Sequence, residues 1–319
     1  MAKQWSDRIG RRLKLRDLHI MLAVANSGSM GKAASDLAVS QPAISKAIAD
    51  LEEALGVRLL DRSPQGIEPT IYGRALLKCG TAVFDDLLQG VKEIEFLADP
   101  SAGDLSIGCS EPLSAGFVSV VINKLSRQYP KATFHVISAD PAILVNRELH
   151  QRHIDLALIP IAGLALEQDT AVDFLFDDRH VGLAGGKNKW IRRRNIALMD
   201  LIDEPWIFPP PETPVGSYIA AGFRAAGLEP PHAHVLSFSV PLHQHLLSTG
   251  RFLTTLPLSM VVHNQQLPLK LLSVKFPAVY RPVAIVTLKN RTVKPLARLF
   301  IDCAHSLAEP LAKNKDTRV

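Results

Sequence analysis

Cysteine is scarce in this chain of 319 residues, and its three thiols, Cys79, Cys109 and Cys303, lie far apart with no C-x-x-C spacing. That argues against a disulfide framework or a structural zinc site and fits a reducing compartment. Long apolar runs are also missing: no segment approaches the roughly 20 residues of a membrane span, and the first residues lack the apolar stretch and small-residue cleavage site of a secretory leader. Catalytic signatures are absent as well, with no GxSxG, no HExxH, no P-loop and no GxGxxG after a strand. The expectation is a cytoplasmic protein that does not engage a membrane, is not an enzyme, and has no catalytic residue, resident metal or cofactor. Composition is that of a globular protein, 47% hydrophobic and 21% charged, and the length calls for two or three domains. The formal charge of +5 is by itself a weak argument for an anionic partner. Its location says more, because Lys3, Arg8, Arg11, Arg12, Lys14 and Arg16 crowd the first sixteen residues against Asp7 alone. Such a cluster reads either as a solvated terminus or as a phosphate-contacting arm.

The chain divides at the turn-rich stretch Ala98-Asp99-Pro100-Ser101-Ala102-Gly103. Before it, nearly everything reads as helix. Leu15, Leu18, Leu22 and Ala25 form one apolar stripe, closed by Ser27-Gly28, and Ser29 opens a short second helix through Leu37. A third helix starts at Ser40, a good N-cap, with Pro42 tolerated in the first turn. On a wheel of about 100° per residue, Ala43, Ile44, Ala47, Ile48, Leu51 and Leu55 share one side, and Gln41, Pro42, Ser45, Lys46 and Ala49 the other. The second side is small, polar and basic. It suits either plain solvent or the major groove of DNA, where Gln bonds adenine bidentately and Lys and Ser reach bases or phosphate. Pro64 to Gly66 then turns between two short extended pieces, a hairpin that sets Arg62 toward phosphate. From Thr70 to about Ala98 runs one long helix of about 40 Å, with Leu76, Gly80, Val83, Leu87, Gly90, Ile94 and Leu97 in a 4-3 pattern.

From Leu15 to Gly73 the chain resembles the winged helix-turn-helix of LysR-type transcriptional regulators. The resemblance rests on the stretch AVANSGSMGKAASDLAVSQPAISKAIADLEEALGVRLLDR, a wing, and a threonine two residues before Tyr-Gly. It implies sequence-specific binding to double-stranded DNA, with Gln41, Pro42, Ser45 and Lys46 on the operator and Arg62 on its backbone. It further implies that the long helix pairs antiparallel with that of a second copy, giving a dimer and commonly a dimer of dimers, and that RNA polymerase is a partner. Met30 and Tyr72 depart from the family's usual phenylalanine and alanine or proline.

After the turn, short apolar runs alternate with amphipathic stretches, the texture of βα units. Strands are expected at Asp104 to Gly108, Thr133 to Ser138 and Ile154 to Ile159, then near Val181, Pro205 to Phe208, Val235 to Phe238, Phe252 to Leu256 and Pro282 to Leu288, with parallel pairing and right-handed crossovers. This order resembles the two-lobed, periplasmic-binding-protein-like effector domain of the same regulators. The fold class is therefore α/β, with an all-α winged helix-turn-helix over residues 1–70, a linker helix over 71–99 and an effector domain over 100–319. Lobe I is set at about 103–175 and 282–319, and lobe II at about 176–281. A small-molecule co-inducer is expected outside the carboxyl ends of the strands, at Ser110, Glu111, Pro112, Asp140, Pro160, the segment Pro209 to Glu212 with Pro210, Pro211 and Glu212, and Phe252 to Thr254. Ser110 and a helix start suit a carboxylate, while Glu111, Asp140 and Glu212 oppose a simple anion. A solute receptor would explain this half alone and leave the first hundred residues idle. The pairs His232/His234 and His243/His245 invite metal but read as surface or cleft histidines. Cys109 beside the cleft has no partner for a redox switch, and the run Lys187, Lys189, Arg192, Arg193, Arg194 around Trp190 reads as a solvated loop.

Overall fold

The computed structural model describes residues 13–63, 66–263, 269–274, 276 and 280–313. The chain forms two compact units, residues 1–91 and 92–319. In the first, α1 (Leu15–Ser27), α2 (Met30–Asp36) and α3 (Gln41–Leu55) precede a hairpin of β1 (Leu60–Ser63) and β2 (Gly66–Pro69), paired antiparallel with Leu60 opposite Pro69. Gly28 and Gly56 end α1 and α3 in the left-handed conformation that side chains resist. Ser40 enters α3 extended, yet its hydroxyl caps no N–H. The core is Ile20, Met21, Val24, Met30, Ile44, Ile48, Leu51 and Leu59, packed from all three helices and the hairpin base. Glu52 Oε1 accepts the Leu59 N–H at 2.8 Å and holds the turn after α3.

The long helix α4 (Ile71–Ala98) starts at Thr70, whose Oγ1 accepts the Gly73 N–H and donates to the Arg58 carbonyl. Its first half belongs to the core just described: Leu76 and Leu77 pack there, Gly80 abuts Leu18, and His19 meets Phe84 at 5.6 Å between ring centres. Leu76 and Gly80 are therefore not free seam positions, whereas Leu87, Leu88, Val91, Ile94 and Leu97 are exposed.

The second unit holds two five-stranded mixed sheets. Lobe I is ordered β4-β3-β5-β12-β6 from β3 (Ala102–Cys109), β4 (Lys131–Ser138), β5 (Leu156–Pro160), β6 (Thr170–Asp178) and β12 (Arg281–Leu288). Lobe II is ordered β11-β7-β10-β8-β9 from β7 (His180–Gly185), β8 (Trp206–Phe208), β9 (Ala233–Leu236), β10 (Leu253–Pro257) and β11 (Leu269–Leu271). The parallel strands are β3, β4 and β5 in one lobe and β8, β9 and β10 in the other. β6, β12, β7 and β11, which flank the crossovers, enter the ladders antiparallel. β6 is not among the strands expected from the sequence. It is an edge strand with Val172 and Phe174 exposed on one face. Lobe I accordingly runs to Asp178 rather than 175.

Helix α5 (111–128) contains a π turn at Ser114–Val118 and packs with the closing helix α10 (Pro295–Lys313) on the lobe I sheet. α6 (141–149) also passes through a π turn, Leu144–Leu149. Lobe II carries α7 (Pro214–Ala225), α8 (Val240–Ser248) and α9 (Leu258–His263) around a core of Trp206, Phe208 and Phe223. Among the described residues, no helix is long and apolar enough to cross a membrane.

A Cβ added at Gly73 would lie 2.0 Å from the Leu59 carbonyl oxygen, and backbone cannot yield as a side chain can. Gly73→Ala should cost the first unit about 1–3 kcal/mol, at the upper end of overpacking effects. Thermal unfolding checks this, and an unchanged melt would mean the helix start slides freely.

Candidate functional site

Two surfaces carry the chemistry. In the first unit, α3 buries Ile44, Ala47, Ile48 and Leu51 and leaves Gln41, Pro42, Lys46 and Ala49 exposed. Ser45 is half-buried, and its hydroxyl donates to the Met30 thioether at 3.3 Å. That bond exists because methionine stands at position 30, and it holds the hydroxyl hydrogen away from solvent. Arg62 lies in β1, and its side chain falls outside the described residues, as do the basic residues before Leu13.

In the second unit a cleft of about 480 Å³ separates the lobes, within the usual range for small-molecule sites. Strand ends and helix starts build its walls, as the sheet geometry requires. Lobe I contributes Ser110, Glu111 and Pro112 after β3, Asp140 and Pro141 after β4, and Pro160 at the end of β5. Lobe II contributes Pro209 after β8, Thr213 and Pro214 at the start of α7, Phe238, His243, and Thr255 to Pro257 at the end of β10. The floor is the crossover, with Asp178, His180 and Arg281. Six prolines among these residues give walls that are apolar and stiff.

Half of the expected lining is therefore elsewhere. Pro210, Pro211 and Glu212 fold back on α7: the Pro210 carbonyl accepts from Thr213 Oγ1 at 2.6 Å, the Pro211 carbonyl accepts from Ser217 Oγ, and Pro211 and Glu212 point to solvent. Phe252 precedes β10, under the Arg251 guanidinium. Thr254 is fully buried, donating to the Ile207 carbonyl at 2.8 Å and lying 3.2 Å from His243 Nδ1. β10 runs three residues further, so its carboxyl end is Thr255 to Pro257. Sequence reasoning missed Asp178, His180 and Arg281 because β6 was not recognised and the return strand was placed one residue late.

The cleft's polar groups are mostly spoken for. Glu111 Oε1 reaches across from lobe I to accept the Val240 N–H at 3.0 Å, at the start of α8. Asp140 Oδ1 accepts the Ala142 N–H at 2.8 Å. Asp178 accepts from the Ser259 N–H, the Ser259 hydroxyl and the Arg179 N–H. Burial nonetheless raises its pKa, with those donors opposing. His243 Nε2 donates to the Ser237 carbonyl at 3.0 Å, and burial lowers its pKa. His180, 3.3 Å from the Thr255 hydroxyl and edge-on to Tyr218, is pushed down to about 3 by burial and then by the Arg281 charge. Tyr218 is pushed up to about 12, chiefly by burial.

The remaining sequence candidates lie as follows. His243 sits in the cleft wall, while the His232 and His234 rings meet edge-on with centres 5.3 Å apart. Among the described residues the three-residue cluster with metal-ligand spacing is His150, Glu167 and Asp169, an ion-paired group away from the cleft. Burial raises the Cys109 thiol to about 11, which leaves almost no thiolate. Lys187, Lys189, Arg192, Arg193 and Arg194 are exposed around a buried Trp190.

Neutral His180 supplies a pH test. Its folded pKa lies below 6.5, so its contribution is intact above that value and is lost as pH falls toward 3, where the unfolded chain takes the proton first. Between pH 6.5 and about pH 5, the wild type should lose about 2 kcal/mol more stability than His180→Asn. Parallel melting curves for the two would show that His180 titrates normally.

The comparisons with known proteins cover both units. The family model for the lysR-family bacterial regulatory helix-turn-helix protein matches residues 15–74, and that for the LysR substrate binding domain matches residues 98–309. The HTH-type transcriptional regulator GbpR of Azospirillum brasilense is 30% identical over 238 residues, 72% of this chain and 67% of that one. TdcA of Escherichia coli K12 is 28% identical over 301 residues, 91% and 92%. Among solved structures, full-length OxyR from Pseudomonas aeruginosa matches with a TM-score of 0.60 at 22% identity, over 92% of this chain and 94% of that chain. Full-length CbnR complexed with its target DNA matches with 0.53 at 21%, over 93% and 100%. The chain belongs to the LysR family of transcriptional regulators, with a DNA-binding helix-turn-helix and an effector-binding domain.

Proposed function

We propose that the exposed face of α3 reads the operator, with Gln41 on a base edge, Pro42 against the groove, Ser45 accepting through its oxygen and Lys46 on phosphate, and that Arg62 adds a backbone contact from the wing. The observation that carries this is the division of α3 into a buried apolar side and an exposed side holding Gln41, Pro42 and Lys46. Gln41→Ala should then cost about 1–3 kcal/mol on the operator and much less on random DNA, whereas Lys46→Ala should weaken both and flatten the salt slope by about one unit. Gel shifts across salt measure both, and equal losses for Gln41→Ala on operator and random DNA would remove α3 from base reading.

In this reading the chain works in the cytoplasm, regulating transcription rather than catalysing a reaction, with RNA polymerase as the downstream partner. The cleft takes the co-inducer at Ser110, Glu111, Pro112, Asp140 and Pro160 from lobe I and at Pro209 and Thr255 from lobe II. Ligand closure of the lobes changes the DNA footprint only insofar as it favours one arrangement.

Self-association runs through the second half of α4, where Leu87, Val91, Ile94 and Leu97 are exposed, a stripe that solvent alone does not explain. Placing aspartate at both Leu87 and Ile94 should abolish dimers while the effector domain stays folded, because paired burial of carboxylates costs several kcal/mol. Light scattering at the wild-type mass would move the interface away from this helix.

A further inference from the structure

The cleft's acids and histidines all have hydrogen-bond partners, whereas among the described residues its arginine has an aromatic ring and no ion pair. Arg281, at the start of β12, lines the cleft floor with its guanidinium 5.5 Å from the centre of the Tyr218 ring. Among the described residues it makes no hydrogen bond or ion pair. Five N–H donors on a part-buried guanidinium facing mainly an aromatic ring are poorly satisfied, and their geometry matches a carboxylate in a two-pronged bond. Asp140 and Asp178 attract the guanidinium at longer range, but among the described residues no carboxylate forms an ion pair with it, and Glu111, Asp140 and Asp178 accept instead from the N–H groups of Val240, Ala142 and Ser259.

Two further features narrow the ligand. Prolines, Phe238, Leu256 and Val283 make most of the remaining wall apolar, which favours a hydrophobic body behind the charged group. Glu111 and Asp140 stand in the same cleft and repel any second negative charge. We propose that the cleft takes an organic monocarboxylate with an apolar or aromatic body, its carboxylate held by Arg281. This rests on the reading of the cleft as the effector site and names the chemistry that reading left open.

The full-length chain is titrated with phenylacetate and hexanoate, with their neutral amides phenylacetamide and hexanamide, and with the dianion succinate, following thermal shift and calorimetric binding. The same titrations use Arg281→Met, Arg281→Lys and Ser110→Trp, the last filling the cleft mouth, with ligand-free melts as the folding control. The expected result is a raised Tm with at least one monocarboxylate, no shift with its amide, and weaker binding of succinate. Arg281→Met should weaken the acid at least tenfold. Arg281→Lys, which keeps the charge but loses the planar fork, should bind between the two. Equal binding of amide and acid, unchanged acid affinity in Arg281→Met, or no monocarboxylate response would each overturn the assignment. If an amide binds the wild type but not Ser110→Trp, the anion chemistry fails while the cleft remains the site. If a carboxylate binds Ser110→Trp as well as wild type, the cleft reading fails with it.

Discussion

The effector half depends on one junction, the point where β6 leaves lobe I and β12 returns to it. The two strands run side by side, with Asp178 opposite Arg281, so both crossovers pass through one narrow waist. Asp178 is buried there and bonds Ser259 at the start of α9 through backbone and side chain. Removing either partner would leave a buried polar group unmatched, which costs more than the bond itself contributes. Beside it, a Cβ on Gly116 would lie 2.4 Å from Met260 Cα, so α5 of lobe I touches lobe II backbone directly. The cleft is built around this waist, and at its opposite edge Glu111 of lobe I bonds the Val240 N–H of lobe II.

A second polar junction ties the end of α4 to lobe I. Lys92 pairs with Asp104, Lys294 bridges Asp104 and Asp155 at 2.9 and 2.8 Å, and Arg291 bonds Asp155 at 3.0 Å. Asp155 also accepts the Ser106 N–H. Asp155, Arg291 and Lys294 are nearly fully buried, where losing one partner strands the others. Lys92, within the second unit, thus ties the last turns of α4 to the lobe I sheet. A tenfold change in DNA affinity requires about 1.4 kcal/mol of differential ligand binding, less than the ~3–5 kcal/mol that removing one partner of a buried ion pair costs.

Much of this was legible in the sequence where periodicity and punctuation agree. The α3 stripe, the Gly28 and Gly56 stops and the Thr70 helix start follow from local rules, and so do the strands whose apolar runs sit between turns. The cleft was legible as a set of strand ends, but only where those ends were placed correctly. Pro210 to Glu212 look like a loop over the cleft, and only the bonds to Thr213 and Ser217 turn them away. Thr254 was misplaced because β10 continues to Pro257. β6 was hidden because an edge strand with one face in solvent carries aspartates among its apolar residues. Arg281 was overlooked because the return strand was placed one residue late, and its lack of an ion pair is a property of three-dimensional packing that the sequence does not carry.

The central claim is that the Asp178–Ser259 junction holds the two lobes at a fixed separation around the cleft. It is tested most directly by spin labels on cysteines at exposed Arg127 in lobe I and Arg224 in lobe II, with exposed Cys79 replaced by serine. Pulsed electron–electron distance measurements on the full-length chain should give one narrow distribution for the wild type and a clearly broader one for Ser259→Ala. Identical narrow distributions for both, with Ser259→Ala still folded, would contradict the claim and leave lobe geometry to the strands alone.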